Sequence, residues 1–449
     1  MTQAAQERVY DVVGVGFGPS NLALAVAVAE HNAVAEPADR ITARFLERQP
    51  GFGWHRGMLI DDATMQVSFL KDLVTLRDPT SRFSFLSYLH SRGRLVDFVN
   101  HKNLFPLRVE FHDYFEWAAG QVGDLVSYGR EAVAVRVAAG GEADGQVEVE
   151  ARHRAGADRR ELLRARNLVL ATGLRPRLPD GISASARIWH NSELLHRIGA
   201  VDQNRAARFV VLGAGQSAAE VTAFLHTRFP RAEVCAVFSR YGYSPADDSP
   251  FANRIFDPAA VDDFYAAPEE VKAALMRYHG NTNYSVVDVD LIEDLYRRVY
   301  REKVSGARRL RVFNVSRPAE LVETGDGVRV TVEDLVSGEH TVLRADVVVC
   351  ATGYRPDDPL SLLGEVGERC RRDRQGRVEV DRDYRLRTSA PLRSGIYLQG
   401  RATEHSHGIT SSLLSNGAVR AGEILRSILD RRAEPVRSPR PVTQKPATV

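Results

Sequence analysis

Two glycine patterns in this chain have the spacing that holds a dinucleotide. In the segment 9–24, V-Y-D-V-V-G-V-G-F-G-P-S-N-L-A-L, an apolar run ends at Val13, Gly14, Gly16 and Gly18 follow, and an apolar helical pattern begins near Asn21. Strand, tight turn and helix in that order bring backbone N–H groups to a pyrophosphate at the positive end of the helix. Pro19 departs from G-x-G-x-x-G at its last position. In the segment 208–221, R-F-V-V-L-G-A-G-Q-S-A-A-E-V, Gly213, Gly215 and Ala218 match G-x-G-x-x-A between a clear strand and a helix. Glu47 follows the strand-like run 41–46. An acid there can accept hydrogen bonds from a ribose; the alternative is an ordinary exposed loop glutamate. Arg240 follows the strand 233–238, which ends without an acid. A basic residue in that place favours a 2′-phosphate, hence NADP over NAD. One fold per cofactor gives FAD and NADP.

Other residues leave two readings open. Lys71 stands among Phe69, Leu70, Leu73 and Val74, and a lysine is rarely buried without a partner. It is a snorkelling or Asp72- or Asp78-paired lysine, or a cation for a ligand carboxylate. Asn281, Asn283 and Tyr284 share a short run without period. Such asparagines serve turns through side-chain to backbone hydrogen bonds, or hold a ligand by their carboxamides. His405 and His407 have H-x-H spacing, but no acidic or histidine cluster completes a metal set. No metal is expected.

The elements that must position these residues follow from the patterning. The 449 residues suffice for two or three domains. Hydrophobic content of 44% and charged content of 26% fit a soluble globular protein, and a net charge of +2 argues against a nucleic-acid surface. The apolar stretch 22–29 is too short to span a bilayer and lacks a basic leader, so no membrane partner is expected. Three separated cysteines without C-x-x-C exclude a redox dithiol and fit a reduced, cytoplasmic setting. Electrons would then leave the flavin to oxygen.

Residues 83–89 and 111–118 have helical spacing, with aromatics expected in the core, and 131–137 and 147–152 read as a β-meander joined by a Gly-rich turn at 138–146. Two buried strands end in A-T-G followed by Arg-Pro, at 167–179 and 347–356, and mark crossings between domains. The expected fold class is α/β: two Rossmann-like dinucleotide-binding domains, the NADP domain inserted in the FAD domain, plus a small helical substrate region. The FAD part would be 1–180 and 346–430, the NADP part 181–240 and 301–345, the helical region 241–300, and 431–449 a disordered tail.

V-G-V-G-F-G-P-S-N-L, M-Q-V-S-F-L-K-D-L-V-T-L-R-D-P, G-A-G-Q-S-A-A-E, S-P-F-A-N, N-T-N-Y-S-V-V-D, A-T-G-Y and H-G-I-T-S-S-L-L-S occur in this order. Together they resemble the flavin-dependent N-hydroxylating monooxygenases of siderophore pathways, and more narrowly the L-ornithine N5-monooxygenases, from about residue 9 to 428. Many members carry Leu-Ser-Asp where this chain has Ile409, Thr410 and Ser411, a mild departure that bears on substrate tuning. Pro19 belongs to the resemblance.

The resemblance implies roles residue by residue. Lys71 would pair with the α-carboxylate of L-ornithine and Asn253 with its α-amino or carboxylate end. Asn283 would sit between substrate, nicotinamide and flavin, with Tyr284 and Ser415 at the same junction. Met65 and Gln66 would lie against the flavin, with Trp54, His55 and Leu414 near it, and Gln216 and Ser217 would contact NADPH. FAD reduced by NADPH would capture O2 as a C4a-hydroperoxide, which hydroxylates the side-chain amine. Lysine N6- and diamine hydroxylation are the alternatives with the same machinery, and a non-catalytic nucleotide-binding flavoprotein is a remote one. A homo-oligomer, a tetramer, is also implied.

Overall fold

The computed structural model of the chain describes residues 8–138, 145–154, 159–389 and 392–433. Most of the expected turn at 138–146, and the tail from 434 on, lie outside the described residues. Residues 431–433, expected in that tail, instead complete the last helix, Gly417–Ala433.

Among the described residues the strands form sheets of seven, five, three and two. In the first, Val9–Val15 lies between Ala43–Glu47 and Arg160–Leu170 and is parallel to both. Its apolar run is continuous because a parallel strand is covered on both faces. The strand Arg160–Leu170 belongs to two arrangements. Its first half pairs antiparallel with Val147–His153 in the meander, and its second half runs parallel to Val9–Val15 and to Gly395–Leu398. The second sheet is parallel throughout, in the order Leu310–Phe313, Glu233–Val237, Arg208–Leu212, Val347–Cys350, Ile188–His190. An antiparallel meander, Ser316–Thr324, Gly327–Asp334 and His340–Ala345, precedes its returning strand. The two folds thus repeat one plan, and each returning strand ends in A-T-G.

Two expected boundaries move. Val347–Cys350 is a buried strand of the second sheet, so the chain does not return to the first fold at 346. It returns after the second A-T-G, where Tyr354–Pro356 pairs antiparallel with Leu174–Pro176. Most of Val289–Ser305 was expected within the helical region 241–300. It is the crossover helix between the second sheet's strands Glu233–Val237 and Leu310–Phe313, with Leu295 buried and Leu291, Ile292 and Val299 packed on that core. The periodic apolar face of this helix needs a sheet to cover it. Pro258–Ala266 and Glu269–His279 remain as the separate helical region.

The helix Pro19–Val34 buries every residue from Asn21 to Val28. An all-round apolar helix must be enclosed, and here the last helix and Arg108–Gln121 pack against it. The aromatics Phe83, Phe85, Phe111, Tyr114 and Phe115 are core residues, with Phe111 and Phe115 rings 4.9 Å apart. Leu86, which shares their spacing, is exposed.

Gly16 has φ +82°, and a Cβ there would collide with the Ala171 carbonyl oxygen. Gly16→Ala is expected to cost about 2–4 kcal/mol through strain and displacement of the first A-T-G. The thermal melt should fall and purified protein should lose bound flavin; an unchanged melt with full flavin content would refute this.

Candidate active site

The first turn is built by three glycines with three separate reasons. A Cβ on Gly14 would strike the Phe45 ring, Gly16 occupies the left-handed region against Ala171, and Gly18 faces open space. Gly18 caps the helix Pro19–Val34 without any side-chain hydrogen bond, and its first turn holds no acid. Pro19 fits there because the N–H it lacks would have no helical partner anyway. The remaining amides and the helix dipole favour an anion. Glu47 braces the turn: Phe17 N–H donates to its Oε2 at 2.7 Å and Gln49 N–H to its Oε1 at 2.8 Å. It is buried rather than an exposed loop residue.

A cleft joins this turn to the final one. It is lined by Pro19, Ser20, Lys71, Leu413, Leu414 and Arg420. In the final turn Ser411, Ser415 and Asn416 are 1%, 2% and 3% exposed. Their hydroxyls and both atoms of the Asn416 carboxamide have no hydrogen-bond partner among the described residues. Buried polar groups are ordinarily satisfied, so these atoms suit a ligand with a polar edge, such as a flavin ring. Arg420 donates to the Thr410 and Ser411 carbonyls and holds that turn from beneath.

Lys71 is half-buried in this cleft. Its ammonium lies 5.3 Å from the Phe256 ring, and no carboxylate among the described residues bonds to it. Asp72 is committed to the N–H groups of Val74, Thr75 and Phe85, and Asp78 to Thr80. Both structural pairings open in the sequence are therefore spent elsewhere. Burial lowers the Lys71 pKa, opposed by Asp257. The short helical turn Ala252–Phe256, which carries Asn253, packs on Ile409–Ser412. One Asn253 N–H donates to the Asp248 carbonyl at 2.6 Å, which leaves its amide oxygen available.

The second turn repeats the first. Gly213 has φ +132° against the Ala351 carbonyl, and Gly215 caps Gln216–Arg228 without a side chain. Gly215 also packs on Ser285, whose carbonyl accepts a 2.7 Å bond from Arg240 Nη1. Gly215, Ser285 and the exposed Arg240 thus form one rim, with Ser217 in the first helical turn beside it. Gln216 is tied to Asp288, whose N–H donates to its Oε1 at 2.9 Å. Gln66 is exposed and donates to Asp288 Oδ2 at 2.6 Å, so it bridges the two folds. Tyr284 turns toward the final turn, its hydroxyl donating to the Glu404 carboxylate. The Asn283 side chain is half-buried with no hydrogen bond among the described residues. Met65 is buried in the first core. Trp54 packs edge-on to Phe115 at 5.4 Å, and His55 takes a left-handed backbone, φ 51°.

Sequence reasoning missed Ser411 and Asn416, which stand beside Ser415 in the same motif, and the buried pair Arg108–Glu220. Glu220 had a signal, since it lies four residues after Gln216 on one helix face; Arg108 had none. His405 and His407 direct Nε2 to the carbonyls of Val378 and Arg382. Cys235, Cys350 and Cys370 are buried, and burial pushes their thiols up to about 12, 12 and 11. No helix among the described residues is long and apolar enough to cross a membrane.

The family model described as L-lysine 6-monooxygenase/L-ornithine 5-monooxygenase matches residues 8–356. An L-ornithine N(5)-monooxygenase of Burkholderia cepacia is 43% identical over 410 residues, 90% of each chain. Among solved structures, an ornithine N-hydroxylase of Kutzneria sp. 744, described with reduced FAD, NADP+ and L-ornithine, superposes with a TM-score of 0.90 at 50% identity, covering 95% of this chain and all of that one. The ornithine hydroxylase of Pseudomonas aeruginosa gives 0.87 at 36% identity, with 95% and 100% covered. With two nucleotide turns built on one plan and these relatives, the chain belongs to the L-lysine 6-monooxygenase/L-ornithine 5-monooxygenase family.

Proposed function

We propose that this protein is an NADPH-dependent flavin monooxygenase that hydroxylates the side-chain nitrogen of L-ornithine, giving N5-hydroxyornithine. The observation that carries the choice of substrate class is Lys71: a half-buried ammonium in the cleft between the first turn and the final one, bonded to no carboxylate among the described residues. An amino acid supplies one. The reading draws on the chemistry of the relatives, an L-ornithine N(5)-monooxygenase and an ornithine N-hydroxylase.

The residues fit FAD in the first fold. Gly14, Gly16, Gly18 and Pro19 present an uncapped helix end to its diphosphate, and Glu47 offers its remaining lone pairs to a ribose. Trp54, His55, Met65, Gln66, Leu414 and Asn416 would border the ring. In the second fold Gly213, Gly215, Gln216 and Ser217 would receive the NADPH diphosphate, Arg240 its 2′-phosphate, and Asn283 and Tyr284 its nicotinamide end. The chemistry these cofactors supply when bound is hydride-driven activation of O2 for transfer to an amine.

The protein's own part is to bind, orient and keep water out. Lys71 clamps the substrate carboxylate in a charge-assisted bond, and Asn253, Asn283, Ser415 and Gln66 fix its length and direction. One clamp at a set distance from the ring selects side-chain length. The attacking amine must be neutral, although its ordinary pKa is about 10.4; a poorly hydrated pocket lowers it. The product has the hydroxylamine that an acylation would turn into a hydroxamate, as in siderophores. O2 as co-substrate, a homo-oligomeric assembly and a cytoplasmic setting belong to the same reading.

Lys71→Ala should retain NADPH oxidation and lose hydroxylation, with KM for ornithine raised roughly 30-fold or more; product formed by this variant at low ornithine would sink the clamp. Since burial lowers the Lys71 pKa, its charge is lost as pH rises through a value below about 10.4. The kcat/KM for ornithine should fall along that limb, and Lys71→Arg should move the fall to higher pH because guanidinium stays charged. Superimposable alkaline limbs would contradict it. Arg240→Ala should raise KM for NADPH about tenfold and leave KM for NADH unchanged, as initial rates with each cofactor would show.

A further inference from the structure

Arg108 opens the helix Arg108–Gln121 of the first fold, and Glu220 lies on Gln216–Arg228 of the second. Their side chains meet in a two-point ion pair, Nη1 to Oε2 at 2.8 Å and Nη2 to Oε1 at 2.6 Å. Only 12% and 6% of the two side chains is exposed. The same guanidinium donates to the carbonyls of Met58 and Thr64, each at 3.2 Å. It therefore also grips the segment whose Met58, Ile60 and Ala63 are buried in the core of the second fold. Within that segment Gly57 leaves no room for a side chain, because a Cβ would collide with the Ser192 carbonyl.

Further bonds extend the pair along the second nucleotide helix. Glu220 Oε1 accepts from Gln216 Nε2 at 3.1 Å, Gln216 is bonded to Asp288, and Asp288 accepts from Gln66. The chain of contacts thus runs from the first residue of the second nucleotide helix back to the edge of the first fold. A buried ion pair adds little stability over a well-packed apolar pair, while loss of one partner leaves a costly buried charge. Its geometry is nevertheless demanding, since two parallel charge-assisted bonds tolerate little sliding.

We propose that Arg108 and Glu220 are positioning residues that hold the second nucleotide turn in register with the first, and so set the geometry for hydride transfer between the two cofactors. That step moves one hydride, two electrons with one proton, from NADPH to oxidised FAD, leaving NADP+ and reduced FAD. The inference rests on the assignment of the two turns to FAD and NADPH, and not on the identity of the amine substrate.

The test is the double variant Arg108→Met/Glu220→Leu beside each single variant and Arg108→Lys, all in the full-length flavin-loaded protein. The single variants should melt lower than the parent, and the double variant should recover most of that loss. Anaerobic flavin reduction at saturating NADPH, without ornithine, should still be at least tenfold slower in the double variant. Exchange of the Met58, Ala63 and Met65 amides should be at least tenfold faster, and KM for ornithine unchanged. Arg108→Lys keeps the charge without the two-point contact, and should reduce three- to tenfold more slowly with a parental melt. A parental reduction rate in the double variant, or in Arg108→Lys where the double variant does not fold, overturns the proposal. A parent protein whose flavin is not reduced by NADPH overturns the cofactor assignment with it.

Discussion

Backbone crowding at two glycines is the constraint from which the rest of the site follows. At Gly16 and again at Gly213 the chain leaves a central strand in a conformation that L side chains avoid, directly beneath the carbonyl of the adjacent strand's A-T-G. Only a residue without Cβ fits. The crowding delivers the next helix with its first amides uncapped and turned outward. It also fixes the relation between each helix end and its A-T-G, so both nucleotide sites are made by the same local rule. The ribbon 174–176/354–356, the bond from Gln66 to Asp288 and the pair Arg108–Glu220 then join one copy to the other.

Local rules were legible in the residues themselves. Both glycine turns, the strands that enter them, the meander and the aromatic helices could be read because each depends on spacing within a few residues. The end of the inserted fold was misplaced because the second A-T-G copy looks like the first. Each is the end of a returning strand in its own sheet, and nothing within V-V-V-C-A-T-G says which sheet receives it. Val289–Ser305 was grouped with its neighbours in sequence for a related reason. Its apolar face is evident, but the face does not name the layer it covers.

The site was legible in its members more than in their connections. Lys71 lines a cleft with Leu413 and Leu414, and the helical turn that carries Asn253 packs on Ile409–Ser412. The bonds of Gln66 and Arg108 had to be found in three dimensions, because their partners lie 222 and 112 residues away. An exposed glutamine and a helix-opening arginine carry no local mark of such a bond. Asn416 was overlooked for a different cause: its partner would be a ligand, and its importance lies in burial without any acceptor or donor among the described residues.

The three cysteines gain a meaning from the chemistry around them. An oxygen-activating enzyme that misfires sheds hydrogen peroxide, and peroxide oxidises thiolates in preference to thiols. Here every sulfhydryl is enclosed, and its ionisation is displaced to strongly alkaline pH. Near neutral pH these sulfurs therefore carry little thiolate. The same burial that packs Cys235 and Cys350 into the second sheet keeps their sulfurs as thiols, the form that peroxide oxidises least readily.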